Sequence, residues 1–262
     1  MSSEYPITIT DRGRVRVLTL NRPDQLNAFN DAQYDGFRNA LNDAEANNDV
    51  AVVVVTGEGR AFCAGQDLTE MAVEKNYADG ERHGFEPFIE TLESFPKPII
   101  AAVNGLGIGI GLTMLPHCDL VLMANEARLR APFASLGIVV EAGNSLLLPQ
   151  TVGWANAAHA LYTSDWLSAE TCKEIGLAWK IVALSDLMDE TFAIADKIAA
   201  QPIASLTATK RLLLDGRLDA SKAARARERE HLGRLVGGAA NREAIAAFKE
   251  KRAPDFTNLP TD

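Results

Sequence analysis

The chain has 262 residues, enough for one large α/β domain with a well-buried core, or for one domain with a small appendage. Apolar residues make up 47% and charged residues 23%, a balance that excludes an intrinsically disordered chain. The formal charge of −9 argues against binding DNA or RNA, which draws on a basic excess, yet leaves room for an anionic small ligand held by backbone donors and a local basic rim.

The opening residues carry neither a basic stretch nor an apolar one, so no signal peptide is expected. Residues 7–10 and 15–20 alternate as strands, joined by a turn at Asp11-Arg12-Gly13. After the break at Asn21-Arg22-Pro23-Asp24, Asn30 and Asp31 are placed to cap a helix reaching Ala46, with Phe37, Ala40, Leu41 and Ala44 on one face. Residues 50–55 form an unbroken apolar run, as in a parallel strand covered on both faces. A glycine-bearing loop follows, with Asp67 ahead of a short helix. Residues 70–84 are polar and irregular, the stretch where mobility is expected. Residues 85–94 read as a helix, 98–103 as a second buried strand, 110–117 as a helix start, and 119–123 and 127–131 as strands. From residue 144 the pattern is helical, at about 144–151, 155–162, 168–175, 186–200, 203–215, 219–235 and 239–250, interrupted by a strand at 180–182. This organisation predicts an α/β core over residues 1–200 and a C-terminal helical region over 201–262, without sequence repeats. Arg225, Arg227, Arg229 and Arg234, set among alanines, read as a solvated helix face.

Cys63, Cys118 and Cys172 are widely spaced and form no Cys-x-x-Cys pair, and the four histidines never fall at helical spacing. No metal site or disulfide framework is expected, and reduced thiols suit a cytoplasmic protein. No apolar run reaches membrane-spanning length, and the ending Leu259-Pro260-Thr261-Asp262 is not a Ser-Lys-Leu address.

Gly105, Gly107, Gly109 and Gly111 alternate strictly between a strand and a helix start. A dinucleotide fingerprint needs a Gly-x-Gly-x-x-Gly register and a phosphate loop needs Gly-Lys-Ser/Thr; neither is present. What remains is free N–H groups at a helix N-terminus, able to hold an anion or an oxygen that becomes one. Equally, such glycines serve close packing of helix on strand. A second turn, from Gly59 to Leu68, also follows a buried strand, and two such turns in a parallel arrangement would converge their N–H groups as an oxyanion hole.

These residues carry a resemblance. The segments Asn21-Arg22-Pro23 with Leu26-Asn27-Ala28, Ala61 to Leu68, and Lys97-Pro98 to Asn104-Gly105 resemble the crotonase (enoyl-CoA hydratase/isomerase) superfamily. So do Cys118-Asp119-Leu120-Val121, Leu136-Gly137-Ile138, and the run from Phe248 to Phe256, in collinear order from about residue 6 to 256. The resemblance implies a crotonase-like spiral of ββα units with a C-terminal helical trimerisation region. It further implies an acyl-CoA thioester substrate from fatty-acid metabolism, no cofactor beyond the CoA of the substrate, no nucleic-acid or membrane partner, and a homotrimer or dimer of trimers. By position, the oxyanion donors fall on the N–H groups of Gln66 and Ile110. Ala28, Ala64, Gly65, Gln66, Asp67 and Leu68 match the segments that hold CoA. Ile110 stands where the family has glycine; the N–H survives, but a β-branched side chain restricts φ and narrows the pocket.

Hydratases of this family use two glutamates, which would align here with Thr113 and Phe133; neither does acid–base chemistry near neutral pH. One carboxylate stands in the neighbourhood, Glu141 in Leu136-Gly-Ile-Val-Val-Glu141-Ala-Gly143. The segment is similar to the peroxisomal-type Δ3,Δ2-enoyl-CoA isomerases, in which this glutamate is the base, and ring-opening isomerases of phenylacetate breakdown use an acid at the same place. Burial would raise its pKa into a useful range. The plainer role is a cap on the helix opening at Asn144. The implied reaction is the shift of a 3-enoyl-CoA to its conjugated 2-enoyl isomer; the alternatives are hydration with a repositioned water, or a non-catalytic acyl-CoA-binding protein. Asp67 reads as a helix cap, Asp119 as structural, His117 as a packed neutral histidine, and Glu126 with Arg128 as a solvated pair.

Overall fold

The computed structural model describes residues 6–67, 77 and 80–260. Strand β1 (Ile7–Arg12) pairs antiparallel with β2 (Val15–Leu20). Arg12 still pairs with Val15, so the reversal falls on Gly13 and Arg14, with φ +58° at the glycine, rather than on Asp11-Arg12-Gly13. Helix α1 (Asp31–Ala46) starts where expected, with the Asn30 side chain accepting the Gln33 N–H at 2.9 Å. At its other end the ammonium of Lys97, the lysine of the Lys-Pro motif, donates to the carbonyls of Ala44 and Asn47. Next come β3 (Val52–Gly57), β4 (Ala61–Cys63), α2 (Phe85–Ser94), β5 (Ile99–Val103) and β6 (Leu106–Ile108). Helix α3 (Ile110–Thr113) is a single turn, prolonged by a 3₁₀ turn at Leu115–His117, and leads to β7 (Leu120–Ala124) and β8 (Arg128–Arg130). The remainder is α4 (Asn144–Val152), α5 (Trp154–Thr163), β9 (Leu167–Ser168), α6 (Ala169–Glu174), β10 (Lys180–Val182), α7 (Leu187–Ala199), α8 (Ile203–Asp215), α9 (Leu218–Leu235) and α10 (Ala239–Glu250).

The larger sheet runs β1-β2-β3-β5-β7-β10, parallel throughout except for β1. β5 is buried along its whole length and β3 along its first five residues, matching their unbroken apolar runs. The smaller sheet runs β4-β6-β8-β9, parallel except for β9. The chain crosses from the larger sheet to the smaller at β3–β4, at β5–β6 and at β7–β8, returning each time. These are the stacked turns of a ββα spiral, built without any repeat in sequence.

Of the smaller sheet, the sequence reading has β8, within 127–131, but not β4 or β6, which passed as glycine-bearing loops. Each is three residues long, too short to display a period, and β6 contains Gly107. Their extended state comes from pairing with each other rather than from local propensity.

Helix α9 packs against α4, α2 and α8. Arg227, Arg229 and Arg234 are exposed, as a solvated face requires, but Arg225 is not. Its guanidinium reaches across to α2, donating to Glu86 at 2.8 Å and to the buried Glu93 at 3.0 Å. Burial raises the Glu93 carboxyl above its ordinary value, opposed by Arg225. Removing one partner of a buried pair leaves the other charge uncompensated. Arg225→Met should therefore lower the unfolding free energy by about 3 kcal/mol in urea titration, and Glu93→Gln in the same chain should recover part of that loss.

Candidate active site

Two turns at the carboxyl ends of β4 and β6 meet. A methyl group placed on Gly109 would lie 3.8 Å from the Cα of Gly65, and one on Gly65 would lie 3.1 Å from the carbonyl oxygen of Ile108. Both glycines have positive φ, +98° at Gly65 and +56° at Gly109. Gly105, Gly107 and Gly111 serve the other purpose foreseen for the run: a Cβ at any of them would come within 2.4 Å of Arg60, Leu129 or Cys63. The alternating glycines thus combine close packing with one special turn.

Gln66 bridges Phe29 through its neighbours: the Phe29 N–H donates to Gly65 O and the Asp67 N–H to Phe29 O. This leaves the Gln66 N–H pointing away from the bridge. Ile110 is the first residue of α3, where an N–H has no intrahelical acceptor. Among the described residues, neither of these N–H groups has a hydrogen-bond partner. The φ restriction foreseen at Ile110 is met by its neighbour. The positive φ falls on Gly109, the isoleucine is helical, and its side chain joins the hydrophobic core. The Gln66 side chain is held from α1, its Oε1 accepting the hydroxyl of buried Tyr34 at 2.9 Å. The Gly65 N–H lies 3.4 Å from the thiol of buried Cys63.

The proposed CoA segments lie alongside. Ala28 O accepts the Arg22 guanidinium at 2.5 Å, and the same guanidinium donates to Asp67 at 2.8 Å. Asp67 is thus ion-paired with Arg22; the helix it was expected to cap, Leu68, and most of the 70–84 segment lie outside the described residues. Buried Asn27, at φ +58°, donates to the carbonyls of Glu58 and Ala61 and ties this segment to the β3–β4 connection. Ala64 is partly exposed, and its N–H donates to Leu26 O.

Glu141 faces the same region. Its Oε1 accepts the hydroxyl of Thr113, on α3, while its Oε2 is buried with no hydrogen-bond partner among the described residues. Burial pushes the carboxyl up to about 8; the Thr113 bond opposes this, and Glu228 and Glu86 add to it. Phe133 is buried in the core. The capping role weighed for Glu141 is not what its side chain does. The N-terminus of α4 is capped by Glu228 from α9, whose two oxygens each accept a backbone N–H at 2.6 Å, from Gly143 and Ser145.

Ala142, next to Glu141, has φ +61°, a conformation costing an L-residue about 1–2 kcal/mol. Its carbonyl is pinned by His117 Nε2 at 2.8 Å and by Asn144 Nδ2 at 3.3 Å, and Asn144 also donates to Thr113 O at 2.8 Å. His117 is the packed neutral histidine expected, lowered by burial to about 4. Thr113 as a partner of the carboxyl, Asn144 and Glu228 were all missed, because the contacts span 28, 31 and 85 residues and leave no local signal. Asp119 is structural, accepting the Ile99 N–H and the Lys210 ammonium. Glu126 and Arg128 are both exposed, but Arg128 lies over the ring of Trp166 instead of forming the expected pair. Among the described residues no cluster of His, Cys, Asp or Glu side chains could hold a metal, and no helix is long and apolar enough to cross a membrane.

The chain is similar to known proteins along nearly its whole length. The family described as enoyl-CoA hydratase/isomerase matches residues 10–259. The chain is 34% identical to the 1,2-epoxyphenylacetyl-CoA isomerase of Escherichia coli K12, over 97% of this chain and 98% of the relative. It is 35% identical to a probable enoyl-CoA hydratase of Rhodobacter capsulatus, over 92% and 93%. The crystal structure of an enoyl-CoA hydratase/isomerase from Pseudoalteromonas atlantica superposes with a TM-score of 0.91 at 34% identity, over 96% of this chain and 100% of that one.

The two buried groups oppose each other in their dependence on pH. His117 titrates at about 6.5 unfolded and about 4 folded, so the unfolded state binds more protons between those values and stability falls as pH is lowered through them. Glu141 moves from 4.5 unfolded to about 8 folded, so its contribution is full below 4.5 and is lost as pH rises to about 8. In His117→Gln, which keeps an N–H for Ala142 O, the first slope disappears. The stability of the wild-type chain relative to this variant should rise by about 3 kcal/mol between pH 4 and pH 6.5, read by urea unfolding at each pH.

Proposed function

The chain belongs to the enoyl-CoA hydratase/isomerase family, and from that premise we propose that it moves the double bond of a 3-enoyl-CoA into conjugation with the thioester. The observation that carries this reading is one carboxyl, Glu141, whose Oε2 is buried with no hydrogen-bond partner among the described residues, where Thr113 and Phe133 stand in place of the two acids a hydratase needs. Glu141 removes a proton from C2. The electron pair spreads onto the thioester oxygen, which accepts hydrogen bonds from the N–H groups of Gln66 and Ile110. The same carboxyl returns the proton at C4. One group suffices because no water is added, and a base with a pKa near the working pH is the efficient one for such a transfer. Gln66 and Ile110 supply donors already oriented before the charge develops, an arrangement whose loss typically costs about 10²–10³ in rate per donor.

CoA is held in this reading by Ala28, Ala64, Gly65, Gln66, Asp67 and Leu68, and no metal or redox cofactor takes part. The protein is then a cytoplasmic homotrimer or dimer of trimers, with exposed Trp154, Tyr162, Leu212, Leu213 and Phe248 as apolar surface for subunit contact. A second reading is favoured by the 34% identity to the Escherichia coli isomerase: the same lone carboxyl isomerises a 1,2-epoxyphenylacetyl-CoA.

With pure protein and a 3-enoyl-CoA, absorbance of the conjugated product should rise, while a 2-enoyl-CoA should be hydrated far more slowly. Comparable hydration would overturn the isomerase reading, and faster turnover of 1,2-epoxyphenylacetyl-CoA would favour the second. The rate should climb with pH and level off above about 8, since only ionised Glu141 is a base. Glu141→Gln should lose about 10³-fold or more in kcat with KM changed little.

A further inference from the structure

The Thr113 hydroxyl has one proton and two acceptors within reach. One is Oε1 of Glu141; the other is the carbonyl oxygen of Gly109, one helical turn back, at 3.2 Å. A hydroxyl donates to one acceptor at a time. An ionised carboxylate is the stronger acceptor, since charge-assisted bonds are about twice as strong as neutral ones, so it holds the Thr113 proton. Once the carboxyl is protonated at Oε2, Oε1 becomes an ordinary neutral acceptor and that advantage is gone. The Gly109 carbonyl then competes, joined there by the N–H groups of Leu112 and Thr113.

The Gly109 carbonyl and the Ile110 N–H belong to one peptide group. A hydrogen bond accepted at the oxygen of a peptide polarises it and strengthens its N–H as a donor. We infer that Thr113 couples the base to the oxyanion hole: as Glu141 takes the substrate proton, the Thr113 hydroxyl turns from Glu141 to Gly109 and strengthens the Ile110 donor while the thioester oxygen is anionic. The protons balance. The C2 proton passes to Oε2 of Glu141, the C–H electron pair moves toward the thioester oxygen, and the Thr113 proton stays on its own oxygen, changing only its acceptor. Return of the proton to C4 reverses the rotation. Other groups bear on Glu141 from the elements around it. Tyr34 on α1 and Cys63 on β4 are held protonated by burial, while Glu86 on α2 and Glu228 on α9 are engaged by Arg225 and by the N-terminus of α4. Thr113 is thus a positioning residue that acts through two others.

This rests on the isomerase reading, and the experiment separates the two. Thr113→Val removes the hydroxyl at nearly constant shape, and Thr113→Ser keeps it. Any role in holding the carboxylate predicts that the pH–rate profile of the Val variant rises at higher pH. The coupling predicts in addition a plateau kcat, above that rise, about 10-fold below wild type at unchanged KM, with Ser within about 3-fold of wild type. Thr113→Ala carries the same expectation as Val if the latter does not fold. A second readout needs no turnover. The thioester carbonyl of a bound, isotope-labelled saturated acyl-CoA should stretch at lower frequency in Glu141→Gln than in Glu141→Gln/Thr113→Val, because Gln stands in for the protonated base. A Val plateau equal to wild type, or identical stretching frequencies, would overturn the coupling. Full turnover by Glu141→Gln would instead overturn the base.

Discussion

The close approach of backbone to backbone in the smaller sheet is the constraint on which the site depends. Gly105 and Gly111 each leave less than 2.5 Å between a would-be methyl group and a carbonyl oxygen of the preceding turn, at Arg60 and Cys63. At those separations successive turns of the spiral stack as main chain on main chain, without a side-chain layer between them. The turns beyond β4 and β6 are therefore brought together at Gly65 and Gly109, from segments more than forty residues apart. The N–H groups of Gln66 and Ile110, next to that contact, are main-chain atoms whose positions follow from the stacking.

Around this backbone frame lies a second arrangement that controls a charge. Glu141 has lost most of its hydration, and only the Thr113 hydroxyl favours its ionised form. Its main chain passes through a left-handed alanine whose carbonyl is held by His117 and Asn144. The next residues open a helix whose positive end is already occupied by Glu228. The result is one carboxyl that cannot borrow a cation and cannot relax its backbone. A strained, poorly solvated acid is costly in a scaffold and useful in a proton transfer, a conflict that functional sites commonly retain.

Most of the fold was legible in the sequence. Residues 31–46 and 85–94 show the helical period with a sound N-cap at Asn30, and the runs at 52–55 and 99–103 are too apolar to belong anywhere but a covered sheet. What was not legible is short or distant. β4, β6 and β9 have two or three residues each and take their form from pairing partners. Gln66, Ile110 and Glu141 can be singled out as candidates from sequence because motifs bracket them. Thr113 was first noticed as the absence of an acid, and its bond to Glu141 emerges only when α3 and the 138–143 segment are brought together in space. Arg225 shows the same limit: its alanine-rich surroundings suggested solvent, whereas its partners lie on α2, more than 130 residues earlier.

The cap supplied by Glu228 has a consequence for biosynthesis. The turn that carries Glu141 is closed by a side chain 85 residues further along the chain, so a nascent polypeptide can complete both sheets and still lack that closure. Until α9 has left the ribosome and docked, the N-terminus of α4 has unsatisfied donors and the Glu141 turn has no fixed floor. The turn that holds Glu141 therefore takes its closed form with α9 rather than with the first complete sheet.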